Sequence, residues 1–118
     1  MNKKYQRYIE YIVSDIEAPY FKNMKEMYGL KDSEYKLILP KVYNQPVTIK
    51  DNNIVYDTNG NVIYSENSNG QWVKREYDTD DNLIYFETSD GFWIKYEYDT
   101  NGNEIYYEDS DGVIRDNR

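Results

Sequence analysis

Three stretches of the chain recur at one interval. Tyr56-Asp57-Thr58, Tyr77-Asp78-Thr79 and Tyr98-Asp99-Thr100 stand 21 residues apart, as do Ile63-Tyr64, Ile84-Tyr85 and Ile105-Tyr106. Gly70, Gly91 and Gly112 keep the step, and so do Trp72-Val73-Lys74 and Trp93-Ile94-Lys95. A period near 20 with turn signals at both ends reads as one β-hairpin per repeat.

The turns test the register. Asn59-Gly60 and Asn101-Gly102 are two-residue signals, since Asn and Gly tolerate the positive φ that a type I′ turn requires; Asp80-Asp81 is a weaker copy. A two-residue turn pairs Tyr77 with Ile84 and Arg75 with Phe86. The Ser-Asn-Gly and Ser-Asp-Gly turns suit a three-residue loop with a bulge, which pairs Phe86 with Ile94, Ile84 with Tyr96 and Thr88 with Phe92.

Both registers give one parity. One face collects Ile63, Val73, Tyr77, Ile84, Phe86, Phe92, Ile94, Tyr96, Tyr98, Ile105 and Tyr107. The other collects Tyr64, Glu66, Trp72, Lys74, Glu76, Tyr85, Glu87, Trp93, Lys95, Glu97, Tyr106 and Glu108. A slip of one residue would mix the two. The pattern predicts an antiparallel meander with the first face toward a core.

Upstream, Tyr5, Tyr8, Ile9, Ile12, Val13 and Ile16 mark one face of a helix that Pro19 ends near Ala18. A second short helix is predicted from Pro19, with Phe21, Met24, Met27 and Tyr28 inward and Gly29 as its stop. Residues 31–40 are ambiguous: Ser33 caps a further helical turn, or Tyr35–Leu39 is a strand before Pro40. Pro46 opens the β region. An open sheet must bury one side, and the helices are the natural cover. The expected fold is therefore α+β: a single domain over 1–118, with 1–45 a mainly helical cover and 46–118 a C-terminal antiparallel meander of 21-residue hairpin repeats.

The hairpin stretch Gly91–Gly112, "GFWIKYEYDTNGNEIYYEDSDG", resembles the RHS/YD repeat, whose units carry Tyr-Asp, a Gly-containing turn and a second turn ending Asp-Gly. The resemblance spans about residues 54–114. It implies strands and turns; members of that family string many such units into a shell. The usual Gly-Arg of the turn is Gly60-Asn61 and Gly102-Asn103 here. A weaker resemblance links the aromatic hairpins to cell-wall-binding repeats, which are denser in Trp and Gly.

Composition narrows function. With no Cys and no His, disulfides, thiolate metal sites and the usual general base near neutral pH are excluded. The N-terminus has no uninterrupted apolar run of the kind a signal peptide carries, so the expected location is the cytoplasm of a bacterial host. The formal charge of −8 is uneven: nine Lys/Arg meet six Asp/Glu in residues 1–50, but five meet sixteen in residues 51–118. That argues against direct contact with nucleic acid, and for a basic protein surface as partner.

No phosphate loop, nucleophile elbow or metal cluster stands out, so neither enzyme activity, cofactor nor metal is expected. Asp57-Thr58-Asn59-Gly60-Asn61 and its copy at Asp99 alternate oxygens as calcium loops do. However, position 6 is Val62 or Glu104 rather than Gly, and turn chemistry accounts for each residue. Glu66, Glu76, Glu87 and Glu97 repeat with their neighbours, so cross-strand pairing, with Lys74 opposite Glu87 and Lys95 opposite Glu108, explains them better than glycoside hydrolysis.

Aromatic and acidic rows remain. Tyr64, Glu66, Trp72, Glu76, Tyr85, Glu87, Trp93, Glu97, Tyr106 and Glu108 form the expected partner-binding face, since Trp and Tyr dominate binding hot spots. The expected function is a non-enzymatic acidic protein-binding module. A nucleic-acid mimic fits that description: a phage or mobile-element inhibitor of the anti-CRISPR kind, blocking a basic, nucleic-acid-binding surface of a host protein. The alternative is a glycan- or cell-wall-binding module with Trp72 and Trp93 stacked on sugar rings.

Overall fold

In the computed structural model of the chain, which describes residues 20–26, 29–51 and 53–118, eight antiparallel strands follow in sequence order across one sheet. They are β1 (Thr48–Lys50), β2 (Ile54–Tyr56), β3 (Val62–Glu66), β4 (Trp72–Tyr77), β5 (Leu83–Thr88), β6 (Trp93–Tyr98), β7 (Glu104–Asp109) and β8 (Ile114–Asp116). Among the described residues, two short helices precede them: α1 (Tyr20–Glu26), and α2 (Tyr35–Tyr43), which a 3₁₀ turn at Asp32–Glu34 leads into. The fold is thus largely β, which corrects the α+β expectation of helices layered on the meander. Their seven and nine residues cannot span a sheet of eight strands. The helix expected before Ala18 lies outside the described residues.

The ambiguous stretch before Pro46 is helical because its apolar residues repeat at helical spacing. Ile38 and Leu39 are buried and Val42 packs against them, while Leu37 is 59% exposed. A strand would have put Leu37 and Leu39 on one side. Asn44 ends α2 in the left-handed region, at φ 55°.

The core gathers at the start of the sheet. Phe21, Leu30, Ile38 and Leu39 meet Val55, Ile63 and Tyr64, with Trp72 and Tyr77 of β4 at the margin. Val55 and Tyr64 are direct cross-strand partners and so share a face. It is the face of Glu66 and Trp72, not that of Phe86 and Ile94. Here too the structure corrects the sequence reading: the cover lies on the Tyr/Glu/Trp side, over β2–β4.

Beyond β4, the described side chains of the sheet pack on one another. On the Phe86 side, Arg75 lies 5.4 Å over Phe86, Tyr96 meets Tyr107 edge-on at 5.5 Å and stacks near Tyr98 at 6.1 Å, and Arg115 covers Tyr107 at 4.3 Å. These long side chains pack on one another across the strands, and the residues of this side are half-buried.

The six hairpin turns between β2 and β8 close the same way. Asp57 N–H donates to the Asn61 carbonyl and Gly60 N–H to the Asp57 carbonyl; the pattern recurs from Asn67, Asp78, Thr88, Asp99 and Asp109. These are three-residue loops with the last residue left-handed, so the expected type I′ turn after each Tyr-Asp is corrected. The Asp side chain selects the longer loop: Asp57 Oδ1 accepts the N–H of both Asn59 and Asn61 at 2.9 Å.

A longer loop would shift the register by one, and a bulge shifts it back. Tyr77 pairs with Leu83, not Ile84, while Glu76 already pairs with Tyr85 and Arg75 with Phe86. Ile84 is the extra residue, as Ile63 and Ile105 are in the neighbouring hairpins. Where the bulge opens the ladder, a tyrosine fills in: Tyr77 donates its hydroxyl to the Val62 carbonyl at 3.0 Å, and Tyr98 to Leu83 at 2.7 Å. Tyr-Asp and Ile-Tyr recur because one supplies this bond and the loop, the other the bulge.

Candidate functional site: an aromatic and acidic sheet face

Alternation along β3–β7 brings the ten predicted face residues to one side of the sheet, in cross-strand rows. Glu76, Tyr85, Lys95 and Glu108 form one row; Tyr64, Lys74, Glu87 and Trp93 a second; Glu97, Tyr106 and Asp116 a third. Lys74 stands opposite Glu87 and Lys95 opposite Glu108, in the expected register.

The rows do not share one environment. Tyr64 is fully buried and Glu66 is 6% exposed, both beneath α1. Glu66 accepts the Phe21 N–H at 3.1 Å, the Lys22 N–H at 2.8 Å and the Tyr64 hydroxyl at 2.5 Å. First-turn N–H groups lack acceptors within their helix, and α1 carries no acid in its own first turn, so a strand carboxylate completes it. Phe21 packs on the Tyr64 ring at 6.1 Å. Tyr64 and Glu66 therefore hold the fold together and are closed to a partner. Trp72 is half-buried against the same cluster.

The rest of the face runs over β4–β7: Glu76, Tyr85, Glu87, Trp93, Glu97, Tyr106 and Glu108, half-buried or exposed. None of these residues belongs to the core cluster. Tyr85 donates to Glu87 at 3.0 Å and Tyr106 to Glu108 at 2.5 Å, echoing Tyr64–Glu66. Donating to Glu108 also holds the Tyr106 phenol above its usual range, because ionisation would break the bond and face two negative charges together.

Three cations share this face; the repeat places Lys74 and Lys95 on it, but their contact with the tryptophan rings and the position of Arg118 were not read from the sequence. Lys74 lies 4.9 Å over Trp72 and Lys95 5.0 Å over Trp93, a contact that follows from their i, i+2 spacing on one face. Arg118 has no repeat counterpart. It covers Tyr106 at 4.0 Å, pairs with Asp116 at 3.0 Å and reaches Glu97 at 3.1 Å. Its paired carboxylates raise the guanidinium further above its ordinary range.

The turn carboxylates serve the backbone. Asp78 and Asp99 are held below the usual range chiefly by the N–H groups of Asn82 and Asn103, and Asp109 by the Tyr107 hydroxyl. An open groove of about 530 Å³ beside the Tyr-Asp turns is lined by Tyr43, Ile63, Arg75, Tyr77, Asp78 and Asp81 among others. Among the described residues, no helix is long and apolar enough to cross a membrane.

Comparison with protein-family models and with curated proteins finds no match for this chain.

Proposed function

We propose that the chain is a non-enzymatic binding module whose aromatic and acidic face over β4–β7 docks on a basic surface of another protein. The observation that carries this reading is the grouping of Tyr85 and Trp93 with Glu76, Glu87, Glu97 and Glu108 on a sheet face outside the core cluster. Aromatics of this kind anchor interfaces, while carboxylates around them steer a cationic partner into place. Acidic residues continue beyond the face along both rows of turns, where Asp80, Asp81, Asp90 and Asp111 are exposed. Such a field suits a mimic of nucleic acid, and the particular role proposed is a phage or mobile-element inhibitor of the anti-CRISPR kind. Its target would be a nucleic-acid-binding surface of a bacterial host protein.

The non-enzymatic part of the reading draws on the carboxylates. Among the described residues, hydrogen bonds hold the carboxyls of Asp78, Asp90, Asp99, Asp109 and Asp116 below their ordinary range. A general acid working near neutral pH needs the opposite shift. Sugar stacking is the weaker alternative, because Lys74 and Lys95 take up ring faces of Trp72 and Trp93.

The test is capture of a partner from host lysate, followed by association kinetics at two ionic strengths. A basic-surface interaction weakens steeply with salt; glycan binding hardly changes. Salt-independent binding, or retention on polysaccharide alone, would overturn the proposal.

A further inference from the structure

Asn59 and Asn101 stand in identical stretches, Tyr-Asp-Thr-Asn-Gly-Asn, at residues 56–61 and 98–103. Both asparagines are exposed, and each precedes a glycine at positive φ, +85° at Gly60 and +83° at Gly102. With no side chain on the glycine, its nitrogen can approach the carboxamide of the asparagine before it. The bonds to be broken are alike too: Gly60 N–H donates to the Asp57 carbonyl at 3.2 Å and Gly102 N–H to the Asp99 carbonyl at 3.0 Å. Local sequence and turn therefore give the two asparagines the same reactivity.

The neighbouring turn separates them. Asn59 Nδ2 donates to Asp81 Oδ1 at 3.2 Å, and the same oxygen takes Asn61 Nδ2 at 2.8 Å. Among the described residues, the Asn101 side chain makes no such bond, and a Cβ at Gly102 would meet nothing within 4 Å. The third Asn-Gly pair, Asn69-Gly70, is crowded differently, since Lys22 Cδ lies 2.8 Å from where a Gly70 Cβ would stand.

We infer that Asn101-Gly102 is a site of spontaneous deamidation, and that Asp81 protects the matching Asn59. The Gly102 nitrogen gives up its proton to hydroxide and bonds to Asn101 Cγ, while the side-chain nitrogen takes a proton from water and leaves as ammonia. Water then opens the cyclic imide at either carbonyl, giving aspartate or isoaspartate. The net change consumes a water and releases an ammonia.

The second repeat shows which product the fold accepts. Asp80 holds the place of Asn101 there, and Asp78 accepts the Asp80 and Asn82 N–H groups at 2.9 Å and Asn82 Nδ2 at 3.3 Å. Asp99 binds Asn101 and Asn103 at the same distances. Aspartate therefore keeps the hairpin and adds a negative charge to the acidic turns. Isoaspartate runs the backbone through the side chain, which lengthens the loop and draws Gly102 and Asn103 out of register with Asp99.

The experiment holds the full-length chain folded in mildly alkaline buffer and follows each Asn-Gly by peptide mapping, with fragmentation that localises the change. Asn101 should convert about threefold faster than Asn59, the difference that one modest hydrogen bond makes to a rate. Asp81→Gly removes the carboxylate and keeps the left-handed position, so it should bring Asn59 to the Asn101 rate and leave Asn101 unchanged. In urea the two wild-type sites should react alike. Equal rates in the folded chain, or a difference that survives in urea or in Asp81→Gly, would overturn the inference. Asn101→Asp should unfold at the same urea concentration as the unmodified chain and the isolated isoaspartyl form at a lower one; the reverse order would refute the assignment of products.

Discussion

Replacing Glu66 by Ala removes the carboxylate that three donors reach. The Phe21 and Lys22 N–H groups lose their acceptor at 3.1 and 2.8 Å, a lost helix cap worth about 1 kcal/mol and up to roughly 2. The Tyr64 hydroxyl, on a fully buried side chain, loses a 2.5 Å bond, adding about 1–2 kcal/mol. Together the change should cost about 3 kcal/mol, or roughly 10 °C in melting temperature for a domain of this size. The repeat supplies its own control. Glu87 occupies the same position one unit later, accepts only the Tyr85 hydroxyl among the hydrogen bonds described here, and is half-buried, so Glu87→Ala should cost under about 1 kcal/mol. Urea and thermal unfolding followed by Trp72 and Trp93 fluorescence compares the two variants. If Glu87→Ala destabilises as much as Glu66→Ala, α1 is not anchored by the strand carboxylate and the placement of the core fails.

At Gly91, φ is +96° and a Cβ would meet nothing within 4 Å, so Gly91→Val should cost roughly 1–2 kcal/mol through backbone conformation alone; an unchanged urea midpoint would contradict the left-handed loop. Tyr98→Phe leaves the Leu83 carbonyl without its 2.7 Å donor at the bulge and should lower stability by about 1 kcal/mol, read in the same assay. Because the carboxyls of Asp78, Asp99 and Asp109 are depressed in the folded chain, their contribution is present above the unfolded value near 3.8 and is lost as pH falls through the lower folded values. Circular dichroism on acid titration should show the loss beginning below about pH 4, and Asp99→Asn should reduce its steepness. The Tyr106 and Tyr107 phenols shift the other way, so their share persists below the unfolded value of 10.0 and fades as pH rises through the raised folded ones; spectrophotometric titration should find both ionising late.

The hairpins were readable because the repeat gives each turn and each face three independent statements. Arg75–Phe86, Phe86–Ile94 and the two-face parity follow from the pattern alone, and the ladder has those pairs. The Tyr-Asp turn was misread because Asn-Gly dominates the usual signal, although Asp57/Asn61, Asp78/Asn82 and Asp99/Asn103 bracket the longer loop in each copy. Its error of one residue was hidden by the bulge at Ile84, which restores the same register. The side of the cover could not be read from alternation, since both faces are rich in aromatics. What decides it is the contact of Glu66 with α1, 44 and 45 residues away in sequence, which a pattern of period 21 does not encode. The same contact divides the predicted face into a buried part, Tyr64 and Glu66, and a half-buried or exposed part from Glu76 onward.

Side-chain footprinting of the chain bound to its captured partner tests the central claim most directly, because neighbouring residues on each strand point to opposite faces and backbone exchange would blur them. Carboxyl labelling and radical oxidation should show Glu87, Tyr85 and Trp93 protected on binding, with Phe86, Tyr96 and Tyr107 on the other side unchanged. Trp93→Ala should then weaken the complex by about 2 kcal/mol while leaving the melting temperature nearly unaltered, as an interface anchor outside the core does. Protection of Phe86, Tyr96 and Tyr107 with Trp93 still fully reactive would place the partner on the opposite face and contradict the account.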